Sequence, residues 1–254
     1  MITFDQAMGA MDAPQITGLE TDTLDDNDVL NLILQRSEII RDQEKYNRYI
    51  KAWTRGDDAP ILDLINRMSR DTLIRRAAAF IYLEFEQLRP YFDKKAPKYV
   101  ADIGCGYALF DMFLAKEYDS KLALIDLETN ENRHFGFKDS GAAYSSLANT
   151  ETFLKANGVK KSKLKTYNPE KDDLSGIKKL DYAFSFISCG YHYPLSTYDT
   201  FFRENVAKKG QIIVDIRSHT LADTMLEMSD LGFTRALVKA ANNSADRVMI
   251  AKSL

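Results

Sequence analysis

The sequence predicts an α/β protein in which a helical extension precedes a doubly wound, seven-stranded, mostly parallel sheet. Two observations support this class. In the first ninety-odd residues, apolar side chains recur at helical spacing, as at Tyr46, Tyr49, Ile50 and Trp53. After Pro97, short apolar runs alternate with helical segments, a pattern typical of βαβ units and a parallel sheet.

Seven apolar runs are predicted strands, at 98–103, 121–126, 163–168, 180–187, 211–216, 233–238 and 246–251. Helices are predicted between the earlier strands, at 108–118, 145–158 and 197–209. The segment "KAANNSA" between the last two strands is too short for a crossover helix and suits a hairpin. We therefore expect the last strand to run antiparallel.

Three segments follow from this pattern. Residues 1–24 are mixed and acidic and are expected to form a loose N-terminal arm. Residues 25–96 form a helical extension or lid, whose aromatic stripe could cover a substrate, form a homodimer face or be core. Residues 97–254 form the sheet domain. Within it, the long insertion at 130–147 carries Phe135, Phe137 and Tyr144, which could close over a ligand or hold the loop to the core.

Composition narrows the function classes. The chain of 254 residues has a formal net charge of -3, which disfavours nucleic acid as a partner. Its longest apolar run, Ala77 to Leu83, is far short of a membrane span, and the N-terminal residues do not resemble a signal peptide, so we expect no membrane association and a cytoplasmic location. The two cysteines have no metal-site spacing, and no metal is predicted.

The stretch "KYVADIGCGYALF", at 98–110, joins the first predicted strand to a helix through a glycine-rich turn. Gly104 and Gly106 let backbone N–H groups approach a ligand at the positive end of the helix. Leu109 replaces the third glycine of a dinucleotide fingerprint, which argues against pyrophosphate. Asp102 would also repel pyrophosphate, whereas it suits a ligand that carries an ammonium group.

These residues resemble the first motif of class I S-adenosylmethionine-dependent methyltransferases, with Ala108 in place of the usual third glycine. The later strands and the turn at Gly210 also resemble that family, in order, over 97–254. The resemblance implies a Rossmann-like domain and S-adenosyl-L-methionine as cofactor. Its implied cofactor residues are Asp102, Gly104, Cys105, Gly106, Tyr107, Asp126, Leu127, Asn168 and Phe186.

Two of these residues have alternative explanations. Asp126 lies twenty residues after Gly106, at the end of the second strand, where a carboxylate can accept hydrogen bonds from both ribose hydroxyls. It could equally be a turn or helix-cap aspartate. Asn168 ends the third strand near the family's adenine pocket, but an Asn-Pro turn explains it as well.

Two histidines follow predicted strand ends, where ligands of open α/β sheets bind. His192 is the first choice for a base that takes a proton from an acceptor hydroxyl, against a structural role between Tyr191 and Tyr193. His219 could be a second base or a helix cap. Tyr191, Tyr193 and Arg217 are candidate substrate residues, and Arg217 could bind an anionic group or pair with an acid at the strand end.

The sequence therefore predicts a methyltransferase that acts on a hydroxyl of a small metabolite or a sugar. The sugar is suggested because "GYHYPLSTY", at 190–198, is loosely similar to the corresponding loop of sugar O-methyltransferases. The motifs of base amino-methylation, cytosine C5-methylation and metal-assisted catechol methylation are not found. Alternatives are a catalytically silent methyltransferase-like domain that binds a partner protein and, disfavoured by Asp102 and Leu109, a nicotinamide-dependent oxidoreductase.

Overall fold

A computed structural model describes residues 1–128, 145–240 and 243–252. Its seven strands form one sheet in the order β3-β2-β1-β4-β5-β7-β6. Their bounds are β1 Tyr99–Ile103, β2 Lys121–Ile125, β3 Leu164–Tyr167, β4 Leu180–Ser185, β5 Val206–Arg217, β6 Phe233–Ala240 and β7 Ala245–Ala251. All pairs are parallel except those of β7, which runs antiparallel to both neighbours. The predicted fold class and the direction of the last strand are confirmed.

Ten α-helices lie in the described residues. Their bounds are α1 Phe4–Gly9, α2 Pro14–Thr17, α3 Asp26–Gln35, α4 Asn47–Trp53, α5 Ala59–Met68, α6 Arg70–Phe92, α7 Leu109–Tyr118, α8 Leu147–Ala156, α9 Asp199–Asn205 and α10 Leu221–Glu227. Residues 130–144 of the predicted insertion, with Phe135, Phe137 and Tyr144, lie outside the described residues. None of the helices described is long and apolar enough to cross a membrane.

Residues 1–24 differ from the loose arm that the sequence predicted. Ala7, Ile16 and Leu24 are fully buried in the same apolar cluster as α6. The segment is also fixed by polar contacts, because the backbone of Glu20 exchanges two hydrogen bonds of 2.9 Å with the side chain of Asn157. The helices α1 and α2 have only six and four residues, too few for an apolar period to show in the sequence.

One boundary in the sheet domain also differs from prediction. The sequence predicted a helix over 197–209, but α9 ends at Asn205 and β5 already begins at Val206. Val206 pairs with Leu180 before a register shift, and regular pairing resumes at Gln211 with Tyr182. The residues "AKK", at 207–209, hide this first part of the strand, because an alanine followed by two lysines resembles the end of a helix.

The helical extension and the sheet share one continuous core. The buried cluster that contains Leu32, Ile65 and Phe85 of the extension also contains Val100 and Phe184 of the sheet. A second cluster covers the other side of the sheet, with Ala183, Phe202 and Val214 among its members. The extension therefore packs directly against the domain that carries the glycine-rich turn.

Candidate active site

The turn after β1 has the backbone that a glycine-rich loop needs. Gly104 and Gly106 have φ values of +75° and +55°, in the left-handed region that favours glycine. A Cβ atom on Gly104 would lie 1.9 Å from Oγ of Ser188, so this position has no room for a side chain. The N–H of Gly104 donates to the carbonyl of Ile125 at 2.7 Å, which fixes the loop to the end of β2.

A first cavity, of about 130 Å³, lies over this loop. It is lined by Leu32, Leu34, Gln35, Arg36, Ile81, Asp102, Gly104, Cys105, Gly106, Tyr107, Ala108, Leu109, Phe110, Asp126, Phe186, Ile187, Ser188, His192 and Tyr193. Seven of the nine predicted cofactor residues are among them. The structure thus brings the glycine loop, Asp102, Asp126 and Phe186 together at the carboxyl ends of the strands.

Asp102 presents a buried carboxyl group to the first cavity. Its Oδ1 atom has no hydrogen-bond partner in the part of the chain that the structure describes. The ammonium group of an amino acid ligand could supply the missing donor and charge. The donor set around this cavity therefore fits S-adenosylmethionine, which carries such a group.

Asp102 has a second carboxyl beside it, on Asp111 of α7, which the sequence did not single out. Asp111 is completely buried, and neither of its oxygens has a donor among the described residues. Burial raises the pKa of both carboxyls, and the negative charge of Asp102 raises that of Asp111 further. The charge of Asp102 therefore favours the protonated form of Asp111, and Asp102 is the member of the pair that faces the cavity.

Asp126 closes the other side of the loop. Its Oδ2 atom accepts a 2.7 Å hydrogen bond from the backbone N–H of Gly106. Burial raises the pKa of Asp126 to about 7, although the N–H groups of Gly106 and Leu127 oppose this shift. The carboxyl thus changes its charge near neutral pH at the edge of the cavity.

The helical extension covers the loop through polar contacts. Asp28 of α3 accepts hydrogen bonds of 3.0 Å from the hydroxyl of Tyr107 and from the side chain of Asn149. A Cβ atom on Gly106 would lie 2.9 Å from Oε1 of Gln35, so the end of α3 lies directly on the turn. Because of this cover, the first cavity is smaller than the roughly 300 Å³ of an ordinary ligand pocket.

A second cavity, of about 330 Å³, adjoins the first. It is lined by Leu34, Gln35, Arg36, Ser37, Glu38, Ile50, Ile187, Tyr191, His192, Arg217 and Ser244. Residues 34–36, Ile187 and His192 line both cavities. His192 is therefore placed where a molecule in one cavity meets a molecule in the other.

The predicted substrate residues divide between the two cavities. Arg217 and Tyr191 line the second cavity, where the guanidinium carbon lies 4.5 Å from the tyrosine ring centre and Nε donates to the Tyr191 carbonyl. The Tyr191 hydroxyl is 2.9 Å from Oγ of Ser244. Tyr193 instead lines the first cavity, with its hydroxyl 3.1 Å from Oγ of Ser188.

Three predicted residues lie away from the cavities. His219 is exposed in the turn between β5 and α10 and lines neither cavity in the described structure. Asn168 is buried, and its Oδ1 accepts from the N–H of Glu170 at 3.0 Å, the local turn that was its alternative explanation. Leu127 is half-buried beside Asp126 and is not among the described lining residues.

A network of buried and half-buried charges lies beside the two cavities and was not predicted. Arg36, after α3, makes a two-point ion pair with Glu84 of α6, with distances of 2.7 and 2.9 Å. Arg247 of β7 contacts Glu84 at 3.4 Å and binds both oxygens of Asp215 at 2.7 and 2.8 Å. The Arg247 guanidinium also lies 4.2 Å from the ring centre of Phe186. The four charged residues come from four distant parts of the chain, so sequence spacing gave no signal.

Comparison with known proteins identifies the fold. No family model and no curated protein sequence matches the chain. A solved structure from Nostoc punctiforme, provisionally named an O-methyltransferase, aligns with a TM-score of 0.50 and 11% identity, over 72% of this chain and 61% of that one. This chain therefore spans less than two thirds of that structure.

Two further structures align with lower scores. An O-methyltransferase of tomaymycin synthesis from Streptomyces achromogenes, solved in complex with S-adenosylmethionine, has a TM-score of 0.47 and 13% identity, over 66% of this chain and 79% of that one. A ribosomal protein L11 methylase from Lactobacillus delbrueckii has a TM-score of 0.46 and 16% identity, over 69% and 78%. The strand order and the Nostoc alignment together show the Rossmann-like methyltransferase fold.

Proposed function

We propose that this protein is an S-adenosylmethionine-dependent methyltransferase that moves a methyl group to a hydroxyl of a small metabolite or sugar. The observation that carries the proposal is the position of His192, which lines both the cavity over the glycine loop and the adjoining cavity. A transfer reaction requires its two ligands to meet at such a boundary.

The first cavity would hold the cofactor. Asp102 would bind the ammonium group, and Asp126 would accept hydrogen bonds from the ribose hydroxyls. When bound, S-adenosylmethionine supplies an electrophilic methyl group on a positively charged sulfur. Residues 34–36 at the end of α3 line both cavities, so this part of the extension would cover the bound cofactor.

The second cavity would hold the acceptor. His192 would take the proton of the acceptor hydroxyl, while Tyr191, Ser244 and Glu38 offer an aromatic face and hydrogen-bonding groups. Many polar groups around an aromatic ring suit a hydroxyl-rich molecule, which supports the choice of a sugar. A cytoplasmic location and a homodimer through the helical extension remain predictions that belong to this proposal.

Calorimetric titration of the full chain with S-adenosylmethionine and S-adenosylhomocysteine tests the proposal, with NADH as control. We expect binding of the first two in the micromolar range, about -8 kcal/mol, and none of NADH. Binding should be followed by methyl transfer to a member of a panel of sugars and small alcohols. If a folded sample binds neither S-adenosyl compound, the proposal is wrong, and binding without any transfer would favour the silent, partner-binding alternative.

A further inference from the structure

A third cavity lies in the helical extension, apart from the two cavities already described. Its volume is about 430 Å³, and it is lined by Arg48, Tyr49, Ala52, Pro60, Asp63 and Arg67. None of these six residues lines the first or second cavity. The cavity lies between α4 and α5, so any ligand there would be separate from the methyl-transfer site.

Two guanidinium groups converge on one phenol in this cavity. Nη2 of Arg48 donates to the Tyr49 hydroxyl oxygen at 3.1 Å, and Nη2 of Arg67 donates to the same oxygen at 3.2 Å. In the residues described, neither guanidinium has a carboxylate within ion-pairing distance, and the Tyr49 proton has no acceptor. The N–H donors of Arg48 and Arg67 and the O–H donor of Tyr49 therefore lie close together in the cavity.

The charge of this cavity is not balanced by its lining. Asp63 is the one acidic residue among the six, and although it lies one helical turn before Arg67, Arg67 bonds to Tyr49 instead. Hydrogen bonds from Arg48 and then Arg67 lower the pKa of the Tyr49 phenol, which shows a positive potential at its oxygen. Arginine forks that converge in this way match the geometry of an oxyanion.

We propose that this cavity, with Arg48, Arg67 and the Tyr49 hydroxyl as its donors, binds the phosphate group of a small metabolite. A phosphate has enough charge and enough oxygens to accept from both guanidinium forks and from the phenol at once. The volume of the cavity is in the range of pockets for small organic ligands, so inorganic phosphate alone would leave most of the cavity empty. The ligand is therefore a phosphorylated molecule rather than the free ion.

The chain contains its own reporter for this site. Trp53, the single tryptophan, lies on α4 four residues after Tyr49 and is buried on the same side of the helix. We would titrate the full chain with inorganic phosphate, ribose 5-phosphate and ribose, at constant ionic strength, and follow both Trp53 fluorescence and heat. Constant ionic strength removes the general screening of surface charge.

We expect saturable binding of inorganic phosphate and tighter binding of ribose 5-phosphate. Binding of both phosphate compounds should weaken by about tenfold or more in each of the variants Arg48→Ala, Arg67→Ala and Tyr49→Phe. Arg55→Ala is the matched control, because Arg55 is exposed, as Arg48 and Arg67 are, and carries the same charge in the same extension but lies outside the cavity, so its removal should leave binding unchanged. Tyr49→Phe keeps the buried ring, so it tests the hydroxyl without loss of the core.

Three results would overturn the proposal. The first is no saturable response to either phosphate compound. The second is an equal loss in Arg55→Ala, which would reduce the effect to general surface charge. The third is ribose 5-phosphate binding that Arg48→Ala and Arg67→Ala leave intact, which would place it at another site. These measurements involve no S-adenosyl compound, so their outcome is independent of the proposed methyl transfer.

Discussion

The backbone N–H of Gly106 donates to Oδ2 of Asp126 across 2.7 Å, so the glycine loop and the end of β2 form one hydrogen-bonded unit. Burial raises the pKa of this carboxyl to about 7. The ionised form accepts hydrogen bonds from a ribose, and the protonated form accepts them less well. The affinity for an S-adenosyl ligand should therefore depend on pH.

We expect the dissociation constant of S-adenosylhomocysteine to fall as the pH is raised from 6 to 8, by up to about tenfold per unit below 7. Calorimetric titrations at several pH values measure this dependence. Asp126→Asn should weaken binding and flatten the profile between pH 6 and 8. If the dissociation constant of the variant depends on pH as steeply as that of the native protein, the titrating group is not Asp126.

The same carboxyl affects stability in the opposite sense. Its pKa rises from 3.8 when the chain is unfolded to about 7 when it is folded, so only the folded protein holds this proton between those values. The stabilisation is complete below pH 4 and is lost as the pH rises through 7, by no more than about 4 kcal/mol. Urea unfolding of the native protein and of Asp126→Asn, at pH 5 and pH 8, should show a smaller pH effect in the variant.

Asp102 and Asp111 are expected to respond differently to the same change. Asp111→Asn replaces a carboxyl whose pKa is raised by burial and by the charge of Asp102 with a neutral amide, so S-adenosylhomocysteine affinity should change by less than about threefold. Asp102→Asn removes the charge that would face the ligand's ammonium group, and affinity should fall by about tenfold or more. Calorimetry of both variants distinguishes the two roles. Equal losses would mean that the charge is shared and that Asp111 is not the protonated member.

His192 and His219 form a second matched pair. His192 lines both cavities, whereas His219 is exposed and lines neither. His192→Ala should lower kcat by about 10²- to 10⁴-fold, since it removes the proposed general base, and should leave S-adenosylhomocysteine binding within about threefold. His219→Ala should change neither quantity. Comparable kcat values for the two variants would show that His192 is only structural.

Glu84 lies between the half-buried guanidinium of Arg36 and the buried guanidinium of Arg247, and its removal should be costly. Burial alone would raise its pKa, but Arg36 and Arg247 outweigh that effect and lower the pKa to about 2. Glu84→Ala removes the carboxylate that the two cations share, leaving Arg247 only Asp215 and Arg36 only Glu38 at 3.2 Å, and should reduce the free energy of unfolding by about 3–5 kcal/mol. Glu86→Ala, on the same helix with a more exposed partner in Arg89, should cost less than about 1 kcal/mol. Urea denaturation compares the two, and similar losses would show that the network is not a source of stability.

The sequence predicts the sheet better than it predicts the site. Each strand is a short apolar run bounded by polar or turn residues, so the seven strands could be located without the structure. The glycine loop, Asp102 and Asp126 are local to strand ends and were located by the same pattern. Asp111, Gln35 and Glu84 were not, because each lies within a helix where a polar residue is ordinary. Only packing places Gln35 at the two cavities, Asp111 beside Asp102 and Glu84 beside Arg36.

The first 24 residues show the same limit in the apolar core. Their composition is polar enough to predict a loose segment, yet Ile16 is completely buried in the cluster that includes α6. Two short helices bring a few separated apolar residues onto one surface, and the sequence of this segment shows no apolar periodicity that would predict it. Burial of individual side chains, rather than composition, therefore decides whether this segment contributes to stability.

Ile16→Ala tests that contribution directly. Removal of a fully buried aliphatic side chain should lower the free energy of unfolding by about 2–5 kcal/mol, from lost transfer energy and the cavity left behind. Ile2→Ala, at a half-buried position in the same segment, is the control and should cost much less. Urea unfolding of the two variants measures the difference. If Ile16→Ala lowers the free energy of unfolding no more than Ile2→Ala does, the segment is as loosely attached as its composition suggests. A side chain that is not packed in a core leaves no cavity when it is shortened.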